Sequence, residues 1–156
     1  MRIPILAACA LSLLAICATN STAQSTASLP KERVVGVGGV FFRAKDPKAL
    51  ADWYERHLGV NRTPTSYSQE PWAQEAGPTV FAPFAETTKY FGRATQQFMV
   101  NFRVRDLNAM VSQLQAAGIE VKVDTATYPN GRFARLHDPE GNPIELWQPG
   151  GVAKRP

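Results

Sequence analysis

Cysteine is nearly missing from this chain of 156 residues: its two thiols, Cys9 and Cys17, both sit in the first apolar stretch. Everything downstream lacks a thiol, which excludes a disulfide, a cysteine nucleophile and a thiolate metal site there. Histidine is nearly as rare, with only His57 and His137. His57 falls near the end of a helical pattern, where a cation meets a favourable helix dipole. His137 precedes a turn and has no nucleophile beside it. No serine stands in a nucleophile elbow, and Gly36, Gly38 and Gly39 do not open a helix, so neither a serine hydrolase nor a phosphate-cradling loop is written here. Charge of one sign is lacking too. The formal net charge of +4 is too mild to point to nucleic acid.

Long hydrophobic runs are also scarce. The apolar stretch over 3–18 is interrupted by Pro4 and Ser12 and is shorter than the ~20 residues a spanning helix needs. With Arg2 before it and small residues after it as far as Ala27, it reads as a secretory signal peptide over 1–27, cleaved after Ala23 or Ala27. The expected location is then exported, periplasmic or secreted. A membrane anchor and a lipoprotein are the alternatives. Leu14-Ala15-Ile16-Cys17 resembles a lipidation box with a bulky Ile16 where a small residue is usual, and a membrane partner is expected only if Cys17 is lipidated. A Ser/Thr/Ala-rich tether leads through a linker at 28–33 to one domain over 34–150, followed by a tail at 151–156.

What the domain does have is a message written twice. Val40-Phe41-Phe42-Arg43-Ala44-Lys45-Asp46 returns as Val100-Asn101-Phe102-Arg103-Val104-Arg105-Asp106. Each copy is a strand-like run that ends on an aspartate able to cap a helix. After Asp46 comes Pro47 at the first helical position; Leu50, Trp53, Tyr54 and Leu58 share a face, and Gly59 closes the helix. After Asp106 the stripe is Leu107, Met110, Val111, Leu114 and Ala117, and Gly118 terminates it. The spacing then predicts strands at 120–125, 132–137 and 143–148, with turns at Pro129-Asn130-Gly131 and Asp138-Pro139-Glu140-Gly141-Asn142. In the first copy Pro64, Pro71, Pro78 and Pro83 interrupt the chain, and only 79–82 reads as a strand. The fold class expected is α+β, with two tandem βαβββ modules, 34–93 and 96–149, around a shared cavity.

That doubled order, the run from Asp46-Pro47 through Trp53-Tyr54 to Leu58-Gly59, and the closing Asp138-Pro139-Glu140-Gly141-Asn142-Pro143-Ile144-Glu145-Leu146-Trp147 resemble the vicinal oxygen chelate superfamily. Its members include glyoxalase I, bleomycin-resistance proteins and extradiol dioxygenases, and the resemblance covers about 34–149. It implies a curled mixed sheet with helices on one face and a ligand cavity on the other. The same fold serves lyases, isomerases, oxygenases and drug binders without catalysis, so fold alone does not choose a function.

Strand alternation assigns side chains to the two faces. Val40, Phe42, Ala44, Val100, Phe102, Val104, Ile144 and Leu146 are expected against the helices. Gly39, Phe41, Arg43, Met99, Asn101, Arg103, Glu145 and Trp147 are expected to face the cavity. Relatives that use a metal hold it on His, Glu or Gln, two positions per module; the matching places here are Gly39, Met99, the stretch 79–82 and Glu145. Glycine has no donor and a thioether is a soft one, so Glu145 alone fits. No metal and no other cofactor is expected; a divalent metal on a different ligand set is the alternative.

A five-residue turn at 138–142 sets Arg135 opposite Glu145 and Phe133 opposite Trp147. Glu145 is then either half of a cross-strand ion pair or a catalytic base or acceptor in the cavity. Arg43 and Arg103 hold equivalent places in the two copies, and the resemblance implies that the position of Arg43 contacts a substrate carboxylate. Two inward guanidinium groups call for an anion between them; the competing reading lets both snorkel to water and pair with Asp46 or Asp106. Trp72, Phe81, Phe84, Tyr90 and Phe91 either wall an aromatic pocket or pack a core. The function expected is an exported protein that binds a small anionic or aromatic molecule through Phe41, Arg43, Asn101, Arg103, Arg135 and Trp147. The alternative is a lyase, isomerase or dioxygenase that uses a metal or Glu145. The partner is a small molecule rather than nucleic acid, with homodimerisation left open.

Overall fold

The computed structural model describes residues 32–151. The expected signal peptide, the linker as far as residue 31 and the tail beyond 151 lie outside the described residues. The chain divides into two units at Val40. In the first, residues 32–40 are exposed and form neither helix nor strand.

The second unit runs in the order α1 (Pro47–Leu58), β1 (Val100–Arg103), α2 (Leu107–Ala116), β2 (Lys122–Val123), β3 (Gly131–His137) and β4 (Pro143–Pro149). The strands make one open mixed sheet in the order β1-β4-β3-β2. β1 is parallel to β4, and β3 is antiparallel to both of its neighbours. The second copy of the repeat thus forms a complete βαβββ unit. The first copy contributes its helix but no strand: 34–44 and 79–82 make no ladder, and the expected curled sheet of tandem modules is replaced by a single open one. A β-rich run becomes a strand only where a second edge satisfies its backbone, and the prolines after α1 deny the first copy that edge. The strand expected at 120–125 shortens to two residues because Asp124 turns the chain away, its carboxylate accepting from Ala126 N (3.0 Å) and Tyr128 Oη (3.0 Å).

Both helices start and stop where their local chemistry dictates. The carboxylate of Asp46 accepts from Ala49 N at 3.0 Å, and that of Asp106 from Ala109 N at the same distance. Gly59 leaves α1 in the left-handed region at φ 68°, which a glycine tolerates without steric cost. Leu50 and Tyr54 of α1 and Leu107, Val111 and Leu114 of α2 then pack on Ala134, Leu136, Ile144 and Leu146. Leu107, Leu114, Ile144 and Leu146 are wholly buried, each stabilising the fold by about 1.5–3 kcal/mol.

One buried carboxylate ties the last turn to α1. Asp138 is 4% exposed and accepts from Glu140 N (2.9 Å), Asn142 N (2.9 Å), Asn142 Nδ2 (2.7 Å) and Tyr54 Oη (3.0 Å). Its neighbour Glu140 accepts from Lys45 N and Asp46 N, supplying negative charge at the approach to α1. Burial, and then the charge and hydrogen bond of Asp138, push the Tyr54 phenol well above its ordinary range. The folded chain therefore keeps a proton that the unfolded chain releases above pH ~10, so this stabilisation is complete below that pH and is lost as pH rises further. Urea midpoints at pH 8 and pH 11 check this: the wild type should lose more stability on that rise than Tyr54→Phe does, and equal losses would refute it.

Candidate binding cleft

Parity along the strands separates core from cleft. On β3 and β4 the even-numbered Ala134, Leu136, Ile144 and Leu146 enter the core, while Phe133, Glu145 and Trp147 line a cleft of about 830 Å³. Along β1 the division is less sharp: Phe102 packs against the core and also borders the cleft, together with Asn101, Arg103 and the preceding Met99. The far wall comes from the irregular chain between α1 and β1, with Trp72, Phe84, Tyr90 and Phe91 among its residues.

Glu145 is the chemical centre of the cleft. It is 3% exposed, and its two carboxylate oxygens accept from Tyr90 Oη at 2.7 and 3.1 Å. The register pairs it with Arg135, whose Nη2 stands 3.6 Å from Oε1, so the cross-strand ion pair expected from the five-residue turn is present. Arg135 also lies 4.0 Å over the Tyr90 ring and donates to the Tyr90 carbonyl at 3.3 Å. A cation on the ring face and an acid on the hydroxyl hold Tyr90 from two sides. Burial, followed by the hydrogen bond to Glu145 and its charge, raises the Tyr90 phenol, with Arg135 opposing. Tyr90 therefore stays a neutral donor at ordinary pH.

Aromatic surfaces flank this centre. Phe133 and Trp147 lie parallel within 4°, centroids 6.3 Å apart, and Trp147 Nε1 donates to the Asn130 carbonyl at 2.7 Å. Gly131 sits at φ 131°, where an added Cβ would stand 2.1 Å from the Gln148 carbonyl and 2.8 Å from the indole nitrogen, so glycine lets the turn close on the end of β4. Opposite, Phe84 stacks on Tyr90 at 5.1 Å and Trp72 meets Phe102 edge-on at 6.2 Å.

Of the residues singled out in the sequence, Asn101, Arg103, Glu145 and Trp147 share the cleft, and Arg135 reaches its Glu145 from outside the lining. Phe41 and Arg43 do not join them. Phe41 is 95% exposed, Arg43 is exposed, and neither lines the cleft, because the strand that was to aim them inward has no partner. The expected facing pair of arginines is therefore not assembled. Arg103 instead donates through Nη2 to the Glu75 carbonyl at 2.7 Å. Tyr90 was legible only as an aromatic flank; nothing in the sequence spacing links it to Glu145.

The donors present do not fit a divalent ion. Both oxygens of Glu145 are engaged by Tyr90, one of them also by Arg135, and the other lining residues at expected ligand positions are Met99, Thr79, Val80 and Ala82, none of them a His, Glu or Gln. Among the described residues no three His, Cys, Asp or Glu side chains are grouped to hold a metal, whereas a catalytic ion needs about three protein ligands.

A mixed sheet carrying its helices on one face and a cleft on the other defines an α+β glyoxalase-like fold. Residues 39–147 match the glyoxalase-like domain, and the chain belongs to that family. The resemblance read from the repeat and the closing hairpin is thereby borne out. No curated protein matches the chain. Among solved structures, a glyoxalase/bleomycin resistance protein from Streptomyces sp. CB03234 is 33% identical over 34% of this chain and 46% of its own, with a TM-score of 0.30. The match thus spans less than half of that relative's length. TnmS3, an antibiotic binding protein from the same organism, is 20% identical over 67% of this chain and 88% of its own, TM-score 0.41. A virulence protein from Salmonella typhimurium is 22% identical over 72% of this chain and 100% of its own, TM-score 0.44.

Proposed function

We propose that this glyoxalase-like domain is an exported binding protein that holds a small aromatic anion without a metal. The observation that carries the reading is the lining: stacked aromatic pairs border the cleft while its one buried carboxylate is already committed to Tyr90 and Arg135. Aromatic and aliphatic walls interspersed with polar side chains, Asn101, Arg103 and Gln148 among them, suit a planar organic ligand that carries polar groups. The sign of its charge follows from the cations. Arg105 pairs with the Glu75 carboxylate, but the partner of Arg103 is a neutral carbonyl, so among the described lining residues this guanidinium has charge to spare. Export rests on the signal-like segment at 1–27, and the mass of the mature chain recovered from the periplasm or medium tests it, including lipidation at Cys17. The sequence repeat supports the finer reading of 34–93 as the first of two modules, with 96–149 the second, and light scattering decides whether two copies associate.

Calorimetric titration of EDTA-treated protein with 2-naphthoate and its neutral analogue 2-naphthamide tests the ligand class. Naphthoate should bind in the micromolar range, roughly five-fold more tightly than the amide, as one partly solvated charge pair warrants. Binding that vanishes with EDTA and returns with zinc or magnesium would refute the metal-free reading, and no binding of either compound would refute the aromatic one. A second reading, an enzyme that uses Glu145, draws on the 2.7 Å contact between Tyr90 and Glu145, a geometry suited to proton transfer. The two diverge at Glu145→Gln. A binder that has shed a negative charge from its cleft should take naphthoate a few-fold more tightly, whereas an enzyme should lose turnover of any compound it transforms.

A further inference from the structure

We infer that the segment 72–78 is a strap along the cleft fastened by Arg103, and that a ligand's anionic group unfastens it by claiming that guanidinium. The inference rests on the reading of the cleft as a site for an aromatic anion and adds to it how that site opens. Three observations converge on the strap. First, it has no helix or strand of its own, Pro71 and Pro78 bound it, and it lends Trp72, Gln74, Glu75 and Pro78 to the cleft lining. Second, among the described residues its hydrogen bonds to the rest of the chain come from two arginines. Arg103 Nη2 donates to the Glu75 carbonyl at 2.7 Å, and Arg105 pairs with the Glu75 carboxylate. The Arg105 pair is open to solvent, with side chains 85% and 67% exposed, and such pairs contribute little. Arg103 is the principal polar fastening, beside the edge-on contact of Trp72 with Phe102.

Third, Gly77 makes the room that Arg103 occupies. A Cβ built at Gly77 would stand 1.6 Å from Arg103 Nη1 and 2.7 Å from its Cζ, so any other residue there expels the guanidinium. The obstructing atoms are the tip of a flexible side chain and the backbone of Gly77 is not left-handed, so alanine displaces the arginine without straining the chain. A guanidinium parked on a neutral carbonyl beside an aromatic cleft is poised to exchange it for a carboxylate, which adds the attraction of opposite charges and offers two oxygens to the planar fork. By linkage, an anion that loosens the strap is bound more tightly by a protein whose strap is already loose.

The experiment uses the full chain as wild type, Gly77→Ala and Arg103→Met. Two quantities are read: the rate of cleavage by endoproteinase Glu-C after Glu75, identified by mass spectrometry, and the affinity for 2-naphthoate and 2-naphthamide. Without ligand, both variants should be cut after Glu75 about five- to ten-fold faster than wild type, the effect of losing one solvent-exposed hydrogen bond. The affinities should move in opposite directions. Gly77→Ala frees the guanidinium and should tighten naphthoate several-fold, Arg103→Met removes it and should weaken naphthoate several-fold, and naphthamide should change with neither. Arg103→Met leaves the cleaved sequence intact, which keeps the test sound if alanine at Gly77 alters recognition by the protease. Unchanged cleavage in both variants, or naphthoate affinity moving in the same direction in both, would overturn the latch. Should neither naphthalene bind, the binding reading fails by itself, and the ligand-free cleavage rates still decide whether Arg103 fastens the strap.

Discussion

Asp138→Ala is expected to lower the stability of the domain by about 3 kcal/mol and its melting temperature by roughly 10 °C. The carboxylate accepts four hydrogen bonds, and alanine offers none of those donors a substitute. The Tyr54 hydroxyl suffers most, because it is buried on the inner side of α1 and water does not replace its partner. The turn suffers as well: Gly141, at φ 83°, and Asn142 take their places partly because the Asp138 side chain gathers the backbone N–H groups of Glu140 and Asn142. Asp138→Asn, which keeps one acceptor oxygen, should lose about half as much. Thermal unfolding by circular dichroism reads both variants. A loss below about 1 kcal/mol in Asp138→Ala would mean that water reaches these donors and that the turn is not the link between α1 and the sheet.

Trp147→Leu is expected to weaken binding of 2-naphthoate by about thirty-fold, equivalent to roughly 2 kcal/mol, by removing both apolar area and a stacking surface. Trp147 lies parallel to Phe133 and is pinned by its bond to Asn130, so its ring is oriented before any ligand arrives. Leucine fills part of the space but presents no flat face, and it releases the turn at 129–131. Trp53→Phe is the control, since Trp53 lies on α1 against Tyr54 and His57 and outside this cleft. Calorimetry should find the control within two-fold of wild type. An equally small change in Trp147→Leu would remove the aromatic wall from the account of binding.

Much of the second copy of the repeat was legible because its information is local. Asp46 and Asp106 act on N–H groups three residues ahead, and Gly59 and Gly118 need only their own backbone freedom. The pairing of Arg135 with Glu145 and of Phe133 with Trp147 follows from the length of one turn. Parity along β4 then places Glu145 and Trp147 opposite Ile144 and Leu146. The first copy carries signals of the same kind, yet only its helix forms. A capped amphipathic helix satisfies its own backbone, whereas the run through Phe41 and Arg43 needs a neighbour that the sequence does not name.

The cleft contacts that sequence reading missed all span long intervals of chain. Tyr90 reaches Glu145 across 55 residues and Arg103 reaches Glu75 across 28, from segments with no periodic pattern. Gly77 in the sequence is one glycine among 11, and only the guanidinium lying against it gives its missing side chain a purpose.

By itself the sequence determined the helices, the closing hairpin and the face on which Glu145 lies, because capping, periodicity and turn length act within a few residues. Tertiary structure alone decided that the first copy's strand-like runs form no strand, what holds Glu145 and where Arg103 rests. Those outcomes depend on whether distant backbone edges and side chains meet, and no local rule of chain chemistry fixes that.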